Sequence, residues 1–283
     1  MKKLEEKKLI PLTYDGIFLN VFLSPDKIIL TERLISIILH KDINEIKGNL
    51  EIIRRELSKK NKLERNSQVD MLLKLNQTTI NVELQRRYSN SIKERNVTYI
   101  FRIHSDQFKK GFKPNEINPS IQIVLNCDET YMSDRFIESK LLMDIETKEV
   151  YTDKIKINVI NLPNYEKSCY PKDEEIKALS KLLLSNTWKE FMKNLGEMHM
   201  TENEKKLLKE SVSDYSSDEE NYDIYEEETK REWESRMVAL DKYQEGIDSR
   251  NIEIAKNLLN LNVNVETISQ STGLSIDEIN KLK

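Results

Sequence analysis

The stretch Val69-Asp70-Met71-Leu72-Leu73-Lys74-Leu75-Asn76-Gln77-Thr78-Thr79-Ile80-Asn81-Val82-Glu83-Leu84-Gln85 decides how this chain is read. Val69, Met71, Leu73 and Leu75 alternate with Asp70, Leu72 and Lys74; Ile80, Val82 and Leu84 alternate with Asn81, Glu83 and Gln85. Side chains along a strand point to opposite faces in turn, so each run predicts a strand with one apolar face. The polar link Asn76-Gln77-Thr78-Thr79 joins them as a β-hairpin. If Leu75 pairs with Ile80, Asp70 sits opposite Gln85 and Leu72 opposite Glu83. Asp70 and Glu83 are then diagonal neighbours on one face, with Cα atoms roughly 7–8 Å apart. A one-residue slip would send them to opposite faces.

Two carboxylates and an amide converging from adjacent strands suit a small divalent cation. Mg²⁺ takes oxygen ligands at about 2.0–2.1 Å and keeps several waters and substrate phosphate oxygens, so one Asp and one Glu suffice. Hydrolysis of a phosphodiester must neutralise developing negative charge and supply a hydroxide-like nucleophile, and a carboxylate-held ion does both. Polar residues on one strand face are also what a solvated sheet surface looks like. Leu72, sharing the face with both acids, suggests that the face is partly covered.

Outward from the hairpin, Tyr14, Ile17, Phe18, Val21 and Phe22 have helical spacing. Thr31 reads as the N-cap of a second helix carrying Leu34, Ile35, Ile37, Ile38 and Leu39. Residues 50–57 predict a first strand. Residues 91–111 predict a helix, with Gly111 as its stop. Strands are expected at 121–125, 134–143 and 155–162, and a helix at 173–194. The order predicts an α/β fold with a mixed sheet. The expected divisions are a core over 1–165, a helical extension over 166–210, a solvated acidic linker or frayed helix over 211–230, and a C-terminal helical segment over 231–283.

The bulk composition excludes several classes. With 38% hydrophobic and 33% charged residues, and only 6 Gly and 6 Pro, the chain is neither loop-dominated nor an all-β sandwich. No run of about 18 uncharged apolar residues predicts a membrane span, and the basic start lacks the apolar core of a secretory leader. Cys127 and Cys169 make no framework or CxxC pair, which fits a reducing cytoplasm. His40, His104 and His199 have no zinc-ligand spacing, and no GxxxxGK[ST] or GxSxG is present, so no nucleotide cofactor is expected. Through Cys127 the chain carries 23 Lys and Arg against 15 Asp and Glu; beyond it, 22 against 34. The basic half suits a polyanion such as DNA, and Arg86, Arg87, Arg95 and Arg102, close after the hairpin, are the candidate backbone contacts. They could also form a solvated helix face. Asp15 is either a further acid near the ion or a cap of its own helix.

The hairpin, with Asp70 followed by Glu83-Leu84-Gln85, resembles the D…ExQ variant of the PD-(D/E)XK signature found in the recombination-promoting nuclease/putative transposase family. Asp15, Phe18 and Phe22 resemble that family's opening helix, Arg95 and Tyr99 its R-x-x-x-Y motif, and Gln107 with Gly111 the end of that helix. Ile121 to Leu125, Ile155 to Pro163 and the helical tail from Ile252 to Leu282 follow in the family's order. The resemblance implies a restriction-endonuclease-like core with a mixed central sheet flanked by helices, plus a helical C-terminal region. It further implies a Mg²⁺-dependent DNA endonuclease, linked to recombination or mobile elements, with Asp70 and Glu83 as metal ligands. Mn²⁺ or Ca²⁺ would also suit oxygen ligands. Gln85 stands where most of the superfamily has Lys; it can orient a water but carries no charge. That departure also fits a nucleic-acid-binding or regulatory protein that keeps the fold without turnover. Tyr99 and Gln107 are expected to support the site. A homodimer is expected, because two sites cut two strands most simply.

Overall fold

The fold comes from a computed structural model, which describes residues 8–53, 70–87, 89, 91–108, 113, 116–129 and 133–282. Val69, Gly111 and residues 54–57 of the expected first strand lie outside the described residues.

Among the described residues, six strands form one mixed sheet: β1 (Leu50–Ile52), β2 (Met71–Leu75), β3 (Thr78–Gln85), β4 (Ser120–Asn126), β5 (Ile137–Met143) and β6 (Val150–Asn161), in the order β1-β2-β3-β4-β6-β5. The pairs β1–β2, β2–β3 and β5–β6 are antiparallel, whereas β3–β4 and β4–β6 are parallel. Helix α4 (Ile92–Ser105) makes the crossover that a parallel β3–β4 pair requires.

The hairpin register differs from the sequence expectation. Leu75 pairs with Thr78 and Met71 with Val82. The turn is the two residues Asn76 and Gln77, with Asn76 at φ 53, a left-handed conformation that Asn tolerates better than most residues. The shift is two residues, so both strands keep their faces, and continuing the register sets Asp70 directly across from Glu83 rather than Gln85.

One face of the hairpin, with Met71, Leu73, Leu75, Ile80, Val82 and Leu84, is buried throughout. It shares its side of the sheet with Ile123 and Leu125 of β4. The helices α1 (Asp15–Phe22) and α2 (Ile28–Leu39) supply Ile17, Phe18, Val21, Phe22, Leu34 and Ile35 to the core, and the short α3 (Ile43–Ile46) adds Ile46. Phe18 is fully buried and tilted against Phe22 at 5.0 Å. Phe18→Ala is expected to cost about 3–5 kcal/mol, read as a lowered denaturant midpoint with unchanged slope.

Thr31 does not cap α2. The helix begins at Ile28, after a 3₁₀ turn over Pro25–Lys27, and the buried Thr31 hydroxyl donates to the Phe22 carbonyl, tying α2 to the end of α1.

The expected helix over 173–194 is two, α5 (Glu174–Leu183) and α6 (Trp188–Glu197), broken before the Thr187 N-cap. Residues 211–230, expected as a linker or frayed helix, are helical apart from Asp218. Helix α7 (Glu202–Ser217) runs through 211–217 and packs against α1, with Val212 fully buried; Glu219 onward opens the long helix α8 (Glu219–Asn260). The acidic composition hides Leu208 and Val212, four residues apart on one helix face. Arg33 of α2 grips Glu204 of α7 with two hydrogen bonds, at 3.0 and 3.1 Å. Glu204 also completes a capping box with Thr201.

The chain divides into two compact units, one ending at Tyr222 and one covering Asp223–Lys283. The sequence-expected boundary at 165 falls inside the first. In the second, α9 (Val265–Thr272) and α10 (Ile276–Asn280) fold onto α8 around Ala255, Ile268 and Ile279, with Gly273 at φ 74 in the turn. Among the described residues, no helix is long and apolar enough to cross a membrane.

Candidate active site

The second hairpin face carries Asp70 and Leu72 from the β2 side and Asn81, Glu83 and Gln85 from β3. The register extends it to Gln122, Val124 and Asn126 of β4. Helix α4 covers part of it: Leu72 packs with Ile103, and Tyr99 and Ile53 lean against the pair. A face of polar side chains is thereby buried, and a buried polar group is costly unless it is partnered.

Asp70 and Glu83 meet. Glu83 Oε1 accepts from the Asp70 backbone N–H at 3.4 Å and from Asn81 Nδ2 at 3.0 Å, while Asp70 Oδ2 accepts from the Leu84 backbone N–H at 2.8 Å. Glu83 is only 5% exposed. Burial and the neighbouring Asp70 push its carboxyl up to about 8, against the pull of the Asn81 hydrogen bond and the Arg95 charge. Two carboxylates this close cannot both ionise cheaply without a cation.

Gln85 is 9% exposed and engaged at both ends of its amide. Its Nε2 donates to the Arg87 carbonyl, and its Oε1 accepts from an Arg95 guanidinium nitrogen. Arg95, in the first turns of α4, also lies 6.0 Å over the Tyr99 ring. Burial and then the Glu83 charge raise the Tyr99 phenol. Asp70, Glu83, Gln85, Arg95 and Tyr99 thus form one cluster.

The other candidates lie around it. Arg86 stacks over Tyr14 at 5.1 Å. Burial pushes the Cys127 thiol up to about 12, with Arg86 opposing the rise and Asp15, first residue of α1, close enough to add to it. Cys127 donates its backbone N–H to the Gln85 carbonyl, so Asp15 and Arg86 belong to the end of β3 and β4 beside Gln85. Arg102 sits in the last turn of α4 and acts on Tyr99. Gln107 lies elsewhere: its amide donates to the Asn118 carbonyl and the Ser120 hydroxyl and accepts from the Asn118 N–H, fastening the end of α4 to the start of β4. It holds the crossover.

The sequence reading did not single out Asn81 and Gln122. Both are fully buried, and Asn81 Nδ2 donates to Glu83 and, at 3.1 Å, to Gln122 Oε1. Their polarity at inward-facing strand positions was the available signal.

Among the described residues, no three His, Cys, Asp or Glu side chains cluster as a metal cage. The donor set at Asp70 and Glu83 is two carboxylates, one of them buried and strained by the other. That fits an ion which keeps waters and takes further oxygens from a phosphate.

A mixed sheet whose hairpin sets two acids under a crossover helix defines a nuclease-like α/β fold of the restriction-endonuclease type. The family model described as PD-(D/E)XK nuclease family transposase matches residues 14–242, and the chain belongs to this family. No curated protein and no solved structure matches the chain. Membership supports a nuclease or transposase-like function, that is, a hydrolase acting on nucleic acid, in a family that generally uses divalent metal ions.

Proposed function

We propose that this chain is a Mg²⁺-dependent DNA endonuclease acting in recombination or mobile-element biology, with Asp70 and Glu83 as the metal ligands. The observation that carries the reading is the part-buried contact of Asp70 with Glu83 beside the Gln85–Arg95 pair. A bound divalent ion would supply Lewis-acid stabilisation of the phosphate and lower the pKa of a bound water. Asp70 and Glu83 would hold the ion, and Glu83 would give up its proton on binding. Asn81 fixes one Glu83 oxygen.

The superfamily's missing lysine charge is supplied from the next helix. The Gln85 amide is engaged at each end and in this reading holds the Arg95 guanidinium near the acid pair. Arg95 is always charged, and its planar fork suits a phosphate oxygen. Tyr99 packs against Arg95 and limits its motion. Arg86, Arg87 and Arg102 flank this cluster and contact the DNA backbone, and Asp15 shapes the approach beside Cys127. Two copies, each with one site, would cut both strands in a cytoplasmic setting.

Arg95→Ala should lower the cleavage rate by about 10–100-fold. Removing the nearby cation should also move the pH–rate profile to higher pH, because Arg95 favours ionised Glu83. Adding Gln85→Lys to Arg95→Ala should restore a substantial part of the rate. A rate indifferent to Arg95, or a double variant no better than the single one, overturns this assignment.

A further inference from the structure

Helix α8 is 42 residues long, yet Ala255 is its one buried residue among those described. An isolated helix with so little packing should be polar all round. This one is not: Trp233 is 62% exposed, Met237 39% and Leu240 52%. These residues begin a stripe with alternating steps of four and three: Trp233, Met237, Leu240, Gln244, Ile247, Asn251 and Ile254. That is the a/d repeat of a coiled coil, with Met237, Gln244 and Asn251 at a and Trp233, Leu240, Ile247 and Ile254 at d. Carried back, the same positions hold Lys230, Glu226 and Asp223, so the seam starts at Trp233. Beyond Ile254, Leu258 is already packed in the α8–α10 cluster.

The flanking charges select the occupant. The e positions are Glu234, Asp241 and Asp248; Arg236 and Arg250 are at g, with Tyr243 between them. A parallel pair sets each g residue against the following e residue of the other chain, so Arg236 meets the partner's Asp241. An antiparallel pair would face e against e and g against g, acid on acid and base on base. Polar a residues favour one register, because each must meet its own kind across the seam. Within one chain, Gln244 donates to Asp248 at 2.9 Å, a local bond that pairing across the seam would replace.

We infer that the α8 segment Trp233–Ile254 is the docking surface for a second copy of this chain, paired as a parallel, in-register coiled coil. The pairing does not depend on nuclease activity.

Light scattering on the full chain tests it. The wild type should read twice 33.4 kDa at micromolar concentration. Met237→Glu with Leu240→Glu should raise the dissociation constant at least ~100-fold while leaving the helix content unchanged, because both residues are exposed in the single chain. In a Cys169→Ser background, Gln244→Cys should form a disulfide to its own copy on oxidation, whereas Ser235→Cys, on the outer face, should not. A monomeric wild type, a dimer untouched by the double substitution, or equal cross-linking from both cysteine positions would overturn the inference.

Discussion

Asp70→Asn and Glu83→Gln are each expected to reduce the rate of phosphodiester cleavage by more than ~100-fold, beyond what loss of a supporting contact usually costs. Both changes keep size and much of the hydrogen bonding. The amide carbonyl introduced at position 70 can still accept from the Leu84 N–H, and the one introduced at position 83 can still accept from Asn81. What the two changes remove is the negative charge proposed to hold a divalent ion. Affinity for DNA should change little if, as proposed, it rests on the arginines around the site rather than on the acids. Measured in Ca²⁺ at fixed salt, binding within a few-fold of wild type together with the lost rate is the expected pattern. Equal loss of binding and cleavage would instead mean that the two acids support the fold or the DNA surface.

Glu83 should also make the metal-free protein weaken as pH rises. The folded state keeps its proton up to about pH 8, whereas the unfolded chain loses it in the ordinary carboxylate range. Between those limits the folded state binds the extra proton, so stability is full at low pH, falls across the window and levels off above about 8. Glu83→Gln removes that slope. At about pH 9 the variant should exceed wild type by on the order of a few kcal/mol, and at about pH 5 the gain should be small. In a chain of this size that difference raises the melting temperature by roughly 5–10 °C. Mg²⁺ should act oppositely: it should stabilise wild type more at about pH 9 than at about pH 6, because binding competes with the proton, and should do little for the variant. Thermal melts at the three pH values, with and without Mg²⁺, check both statements. An unchanged pH slope in Glu83→Gln would show that Glu83 is not the strained acid.

Much of the site was legible in the hairpin because alternation reports facing directly. Asp70, Glu83 and Gln85 share one face in any register that differs by an even number of residues. The actual turn is two residues shorter than expected, and the acid pair survived that error, moving from diagonal to directly opposite. Turn length was not legible because Thr78 and Thr79 are as good in a strand as in a loop. Burial was harder to read than direction. Asn81 and Gln122 look like ordinary polar strand positions, and only the packing of α4 over the sheet makes them interior. The partners of Gln85 were invisible for a related reason: whether its amide meets a guanidinium depends on where α4 places Arg95. Burial within 211–217 was not legible, because the acidic composition masks the Leu208–Val212 spacing.

The most direct test of the Asp70–Glu83 centre is the nicking of supercoiled plasmid in Mg²⁺ by the wild-type protein beside Asp70→Ala and Glu83→Ala. Divalent-dependent nicking by the wild type and none by either variant is the expected result. Absence of nicking by the wild type with Mg²⁺, Mn²⁺ and Ca²⁺, or nicking that survives both substitutions, would contradict it.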